Sequence, residues 1–320
     1  MRNVSRAAVA LILGTVALVA ACTAQPPVVP GEPVTSTSST STTQPLVNCP
    51  FRAGTLAGTI ANPFVVEASG IAASRRSPGV LWVHNDSGDT ARLFATTIAG
   101  RDLGIYPVTG VTAADWEDIA VGPSPAGAGS FLYVGDIGGN AGRNALTIQR
   151  IPEPAVSTTQ NPTTIDLGGA QAIDVVYPNG GRYDAESLMV DTNGDLYIVT
   201  KSTEGSSLVF RLPAAQQTPG ATQTLQQVAS IQFTKPGNQA ATSGDLSPSG
   251  DTIVVRTYNR AYVWTRPAGT SVAQALAGRP CVLTVIIEPG AEAIAFAPNG
   301  RDILTTSEGA SPPINLYTRN

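Results

Sequence analysis

Histidine is almost absent from this chain: His84 is the only one among 320 residues. One imidazole excludes a His-rich zinc centre, and without a Gly-x-Ser-x-Gly elbow it also argues against a serine triad. Cysteine is sparse, with Cys22, Cys49 and Cys281 and no Cys-x-x-Cys or zinc-finger spacing. Charge is scarce too. Only 13% of residues are charged, the net charge is −4, and no basic patch points to nucleic acid. Aromatics make up 6%, few for the stacking platforms a glycosidase needs. The apolar run over residues 7–21 is too short to span a bilayer comfortably. What the chain does have is turn residues, 32 Gly and 25 Pro, beside 42% hydrophobic content. That composition fits an all-β, loop-rich protein.

One stretch recurs. Asp184-Ala-Glu-Ser-Leu-Met-Val-Asp-Thr-Asn-Gly-Asp-Leu-Tyr-Ile-Val-Thr-Lys201 reads as acid, apolar strand, Asn-Gly turn, second apolar strand and polar end. Asn-Gly between two β-rich runs is a strong hairpin signal. Four other copies start near Glu67, Glu117, Asp245 and Glu292, so the acids at 67, 117, 186, 245 and 292 are 50, 69, 59 and 47 residues apart. Periods near this length built from short strands predict a β-propeller. Further strand-like runs after each copy make four strands per blade. The fifth copy is one strand short, and Thr55 to Ile60 at the start of the domain supplies it, closing the ring. Five four-stranded blades are expected. A sixth, the alternative, would have to fit between Gly138 and Gly181, which is too short for it.

The N-terminus reads differently. Arg2 and Arg6 precede the apolar run, which ends Val19-Ala20-Ala21-Cys22. This resembles the lipobox of bacterial lipoproteins. The resemblance implies a signal peptide over 1–21, cleavage before Cys22, palmitate-type acylation of that cysteine, and anchoring to the outer face of the cell membrane. An ordinary secretory signal cut nearby is the other reading. Residues 22–48 form a linker: of the 26 residues 23–48, 15 are Ser, Thr or Pro. Such a stretch has too little apolar surface to offset its ordering entropy. Residues 49–320 are the propeller domain. In an oxidising compartment Cys49, beside the closing strand, and Cys281, in the fourth blade, are expected to form a disulfide across the seam; two free buried thiols are the alternative.

In a propeller the first strand of each blade starts at the channel mouth where the second strand ends. Glu67, Glu117, Glu186, Asp245 and Glu292 stand at the starts, and Asp86, Asp136, Lys201, Arg256 and Glu308 at the ends. Crowded carboxylates raise one another's pKa or recruit a cation. Glu67, Asp86, Glu117, Asp136, Glu186 and Glu292 are the expected ligands of a divalent ion. Hard oxygen donors at flexible spacing suit Ca²⁺. Lys201 and Arg256 would offer a site for a small anionic ligand. The same recurrence also suits bracing, with each acid accepting backbone N–H groups of the next blade. His84 is read as packing, and Asp191–Asp195 as a turn despite its likeness to the front of a calcium loop. Asp136 to Arg143 is a Gly-rich loop with no helix to support phosphate binding.

The blade plan, with Glu67, Asn85 and Asp86 at the mouth, resembles six-bladed hydrolytic propellers of the gluconolactonase and phytase-like kind. Their activity implies Ca²⁺ held by Glu, Asn and Asp at the channel mouth, activating water. Three functions follow as expectations: an envelope-anchored propeller binding a ligand or partner, which the residues favour; a Ca²⁺-dependent hydrolase of small esters, lactones or phosphoesters; and a carbohydrate-active enzyme using Glu117 and Glu186 as paired carboxylates, with Trp116 the one tryptophan near the mouth.

Overall fold

A computed structural model describes residues 49–124, 129–139, 143–233 and 239–320. The proposed signal peptide, Cys22, the linker and residues 140–142 of the Gly-rich loop lie outside them. The described chain folds as five antiparallel four-stranded units. The first blade is Ala68–Ala73, Val80–Asn85, Arg92–Thr97 and Asp102–Pro107. The second is Trp116–Pro123, Ser130–Asp136, Ala145–Pro152 and Gln171–Val176. The third is Ala185–Val190, Leu196–Thr200, Ser206–Leu212 and Gln226–Gln232. The fourth is Ala241–Leu246, Thr252–Thr257, Arg260–Thr265 and Cys281–Thr284. The fifth is Ala293–Phe296, Ile303–Thr306 and Pro313–Tyr317. Its outer position is taken by Thr55–Thr59, paired antiparallel to Pro313–Tyr317. The N-terminal strand therefore closes the ring, and the disulfide joins Cys49 to Cys281 with Cα atoms 5.0 Å apart.

The apolar residues sort into five clusters, one at each contact between neighbouring blades. Trp82 and Leu93 of the first blade pack with Val121 and Leu132 of the second. Leu81 and Phe94 pack with Ala295 and Leu304 of the fifth. Each sheet buries both faces, so the inner strands lack the polar alternation of a half-exposed sheet; all six residues of Ala185–Val190 are buried. The innermost strands also crowd around the axis, which selects small residues. A Cβ on Gly70 would lie 2.4 Å from His84 Nε2 and 2.8 Å from the Ile119 nitrogen.

Two connections guard sheet edges, where unpaired backbone would otherwise invite association. The long connection of the second blade bridges the outer strand of the first at Ile105–Thr164 and Val108–Leu167. That of the third blade adds Gln223–Thr224 as a parallel fifth strand on the second.

A register shift recurs at one place. Ala68 faces Asn85 but Gly70 faces His84. Trp116 and Asp118 face Asp136 and Gly135, Ala185 and Ser187 face Thr200 and Val199, and Ala241 and Ser243 face Thr257 and Arg256. In four blades one extra residue is therefore inserted: Ser69, Glu117, Glu186 and Thr242. Such bulges re-aim a side chain and are common at the rims of closed sheets. The fifth blade starts at Ala293 opposite Thr306, which puts Glu292 at the matching position.

Candidate functional site

The bulge decides which acids share a level. Glu117, Glu186 and Glu292 are equivalent, and all three are buried. Glu67 is not their counterpart; the first blade carries Ser69 there, and Glu67 stands exposed two residues earlier. Asp245 lies three residues past Thr242, toward the other end of the channel. There it accepts N–H bonds from Leu246 and from Phe296 of the fifth blade, each at 2.8 Å.

Two further acids reach the mouth. Asp115 and Asp184 stand two residues before Glu117 and Glu186, so the second and third blades each present Asp-x-Glu. One carboxylate oxygen each from Asp86, Asp115 and Glu117 lies within 4.8 Å of the others, and the same holds for Glu117, Asp184 and Glu186. Asp86 comes from the end of the first blade's second strand, so three consecutive blades converge and Glu117 belongs to both triads. The repeated Asp-x-Glu was the sequence signal for Asp115 and Asp184.

The remaining expected residues are committed elsewhere. Asp136 accepts the N–H groups of Ala114 at 2.9 Å and Asp115 at 3.1 Å and pairs with Arg143. It holds the strand start rather than joining either triad. Glu292 is buried in the fifth blade, outside both triads. Lys201 donates to Glu186 and lies 5.4 Å from the centre of the Tyr258 ring. Arg256 is fully buried, pairs with Glu288, and donates to the carbonyls of Ala293 at 2.7 Å and Thr306 at 3.0 Å. It ties the fourth blade to the fifth and does not face a ligand, so the anion site expected of Lys201 and Arg256 does not assemble. Asn85 is a brace as well: its Oδ1 accepts Val66 and Glu67 N–H, and its Nδ2 donates to Phe64 O.

His84 is fully buried, its Nδ1 2.8 Å from Asn85 O and its ring edge-on to Trp116 at 5.7 Å. Burial pushes its pKa down to about 4, which keeps it neutral. Trp116 is 1% exposed and presents no platform to a sugar. Asp191–Asp195 is a hairpin turn, with Asp191 paired to Arg266 and Asp195 to Arg211. The Gly-rich loop lies against the triads. A Cβ on Gly138 would meet Glu117 Oε1 at 2.1 Å and Asp115 Oδ2 at 2.4 Å, and Gly139 N–H donates to Asp184 at 2.7 Å. Only glycine lets backbone come this close.

Electrostatics follow from the crowding. Burial, then the charges of Glu186, Asp86, Asp115 and Asp184, push the Glu117 carboxyl up to about 10. Asp86 is raised by burial and by Asp115, Glu308 and Glu67, against the Ser87 N–H. Burial and Glu292 push Glu186 upward while Lys201 pulls it back. For Lys201 burial opposes the charge, but Glu186 outweighs it and holds the ammonium above its usual range. Among the described residues nothing donates to the Glu117 carboxylate, and Glu186 Oε2 is buried without a partner. Such a set retains its charge only with a compensating cation, and otherwise takes up protons.

No protein-family model and no curated protein matches this sequence. Among solved structures, the PQQ-bound aldose sugar dehydrogenase of Streptomyces coelicolor aligns with a TM-score of 0.49 at 13% identity, over 83% of this chain and 98% of its own.

Proposed function

We propose that this chain is an exported lipoprotein, acylated at Cys22 and tethered by residues 23–48, whose propeller captures a ligand through a divalent cation at the channel mouth. The observation that carries the reading is Glu117, 3% exposed, without a hydrogen-bond donor among the described residues, and common to two carboxylate triads. The orphaned Glu186 Oε2 supports it. The donors are all carboxylate oxygens, the set that suits Ca²⁺. Ca²⁺ takes about six to eight oxygens. Three from the protein leave positions for water and for oxygens of a ligand, which places the ligand among oxyanions or polyols.

The test is thermal. A bound ion stabilises the fold by RT ln(1 + [L]/Kd), about 2.7 kcal/mol at a hundredfold excess over Kd. Millimolar Ca²⁺ raises the melting temperature of the wild type, and Glu117→Gln removes that rise while the metal-free fold persists. No response to Ca²⁺, with a variant that is merely unstable, assigns the acids to bracing. Fatty-acid labelling that Cys22→Ser abolishes checks the anchor; release of unlabelled wild type defeats it.

A further inference from the structure

Building on the cation reading of the mouth, we infer that it holds two calcium ions, with Glu117 bridging them. Ca²⁺–oxygen bonds are about 2.3–2.6 Å, so oxygens facing one another across an ion are up to about 5 Å apart. Each triad meets that limit, with its oxygens within 4.8 Å of one another. The five acids do not close into one mutually near set. They sort into Asp86, Asp115 and Glu117 on one side and Glu117, Asp184 and Glu186 on the other, sharing only Glu117.

A buried acceptor without a partner, Glu186 Oε2, points to an ion here, and the Glu117 carboxylate stands beside it. The Glu117 carboxylate has no donor among the described residues, although it is 3% exposed. Glu186, 7% exposed, gives Oε1 to Lys201 and leaves Oε2 without a partner. Charge balance supports the count. Arg143 pairs with Asp136 and also lies 3.9 Å from Asp115; its single charge offsets one carboxylate, that of Asp136, which leaves Lys201 against the five acids among these ion pairs. One divalent ion with Lys201 neutralises three of the five carboxylates. Two ions with Lys201 neutralise all five, and buried charge left uncompensated is strongly unfavourable. The carboxylate with two oxygens and a place in both triads is the natural bridge.

Calcium stoichiometry decides it, measured on the full chain, stripped with chelator, by titration calorimetry with Ca²⁺ alone and by metal analysis after equilibrium dialysis. Wild type binds two ions. Asp86→Ala and Asp184→Asn each bind one, the second variant keeping the acceptor for Gly139 N–H. Glu117→Gln binds none at concentrations that fill the wild type. One ion on the wild type overturns the pair and leaves the single cation site standing; none removes both. Two ions retained by Asp86→Ala also overturn it. Circular dichroism without Ca²⁺ checks that each variant is folded. If Glu117→Gln does not fold, Asp86→Ala and Asp184→Asn decide alone, since each must lose one ion and their combination both.

Discussion

The hydroxyl of Ser243, in the fourth blade, donates to the Asp118 carboxylate of the second blade at 3.2 Å, a bond between sheets that are not neighbours in the ring. Asp118 also accepts the N–H groups of Ile119 at 2.9 Å, Leu188 of the third blade at 2.9 Å and Gly244 at 3.3 Å. It is fully buried below the mouth, and burial holds its carboxyl well above the usual range against those donors. Asp118→Ala strands the Leu188 and Gly244 N–H groups. The expected loss is about 1–3 kcal/mol for each buried donor left unsatisfied. Asp118→Asn, which keeps one acceptor and the volume, costs less. Urea unfolding of the three proteins checks the order; equal stability of Asp118→Ala and wild type contradicts the role.

The seam is the second place where a single change matters. Cys49 and Cys281 are 232 residues apart in the chain. Losing so long a loop closure costs roughly 2–5 kcal/mol. Cys281→Ser lowers the melting temperature, and reductant then has no further effect on it. Peptide mapping without reductant recovers the two cysteines joined. A Cys281→Ser variant as stable as wild type removes the cross-link from the account of ring closure.

Much of this architecture was legible because a propeller writes its blade repeatedly. Asn193-Gly194 marks the hairpin, the apolar runs mark the strands, and the short fifth copy demanded Thr55 to Ile60. The site was legible only in part. A bulge shifts register by one residue, and the spacing to the apolar strand residue hints at it: Glu117, Glu186 and Glu292 stand two before that residue, Glu67 four before and Asp245 one before. That spacing sets Glu67 and Asp245 apart, and Ser69 and Thr242 hold the equivalent places. Arg256 and Asp136 sat at the right strand ends but found partners, Glu288 and the N–H groups of 114–115, that lie far away in sequence or in the backbone. Asp115 and Asp184 stand in a twice-written Asp-x-Glu that the other three repeats lack, so the five-fold pattern does not single them out.

Asp245, half-buried at the far end of the channel, gives a pH signature. Burial pushes its carboxyl up to about 6, against the N–H groups of Phe296 and Leu246 and the nearby Arg75. The unfolded chain titrates near 3.8. Folding therefore takes up a proton between these values. The stability that Asp245 contributes by being neutral is full below pH 4 and is lost as pH rises through 6. Asp245→Asn has no such window. Wild type gains on the order of 2–3 kcal/mol over the variant as pH falls from 7 to 4. Denaturant unfolding at several pH values reads the difference directly, and a flat difference contradicts the assignment.

Lys201 separates two accounts of the mouth. Its ammonium pairs with Glu186 and rests near the Tyr258 ring, so in the metal-free protein it is the counter-charge of the acidic cluster. A divalent ion arriving beside Glu117 and Glu186 meets that positive charge. Removing it has two effects of one sign: repulsion disappears, and Glu186 Oε1 becomes free to ligate. Lys201→Met therefore tightens Ca²⁺ binding by about tenfold, a modest share of the Coulomb energy between such charges at the effective dielectric of a protein surface. The gain shrinks as salt is added. The metal-free variant melts lower than wild type, because five carboxylates now lack their ammonium. Calorimetric titration with Ca²⁺ measures the first effect and melting in chelator the second. A fall in Ca²⁺ affinity in Lys201→Met means instead that Lys201 positions Glu186 for the ion, and that the ammonium and the ion hold opposite oxygens of one carboxylate.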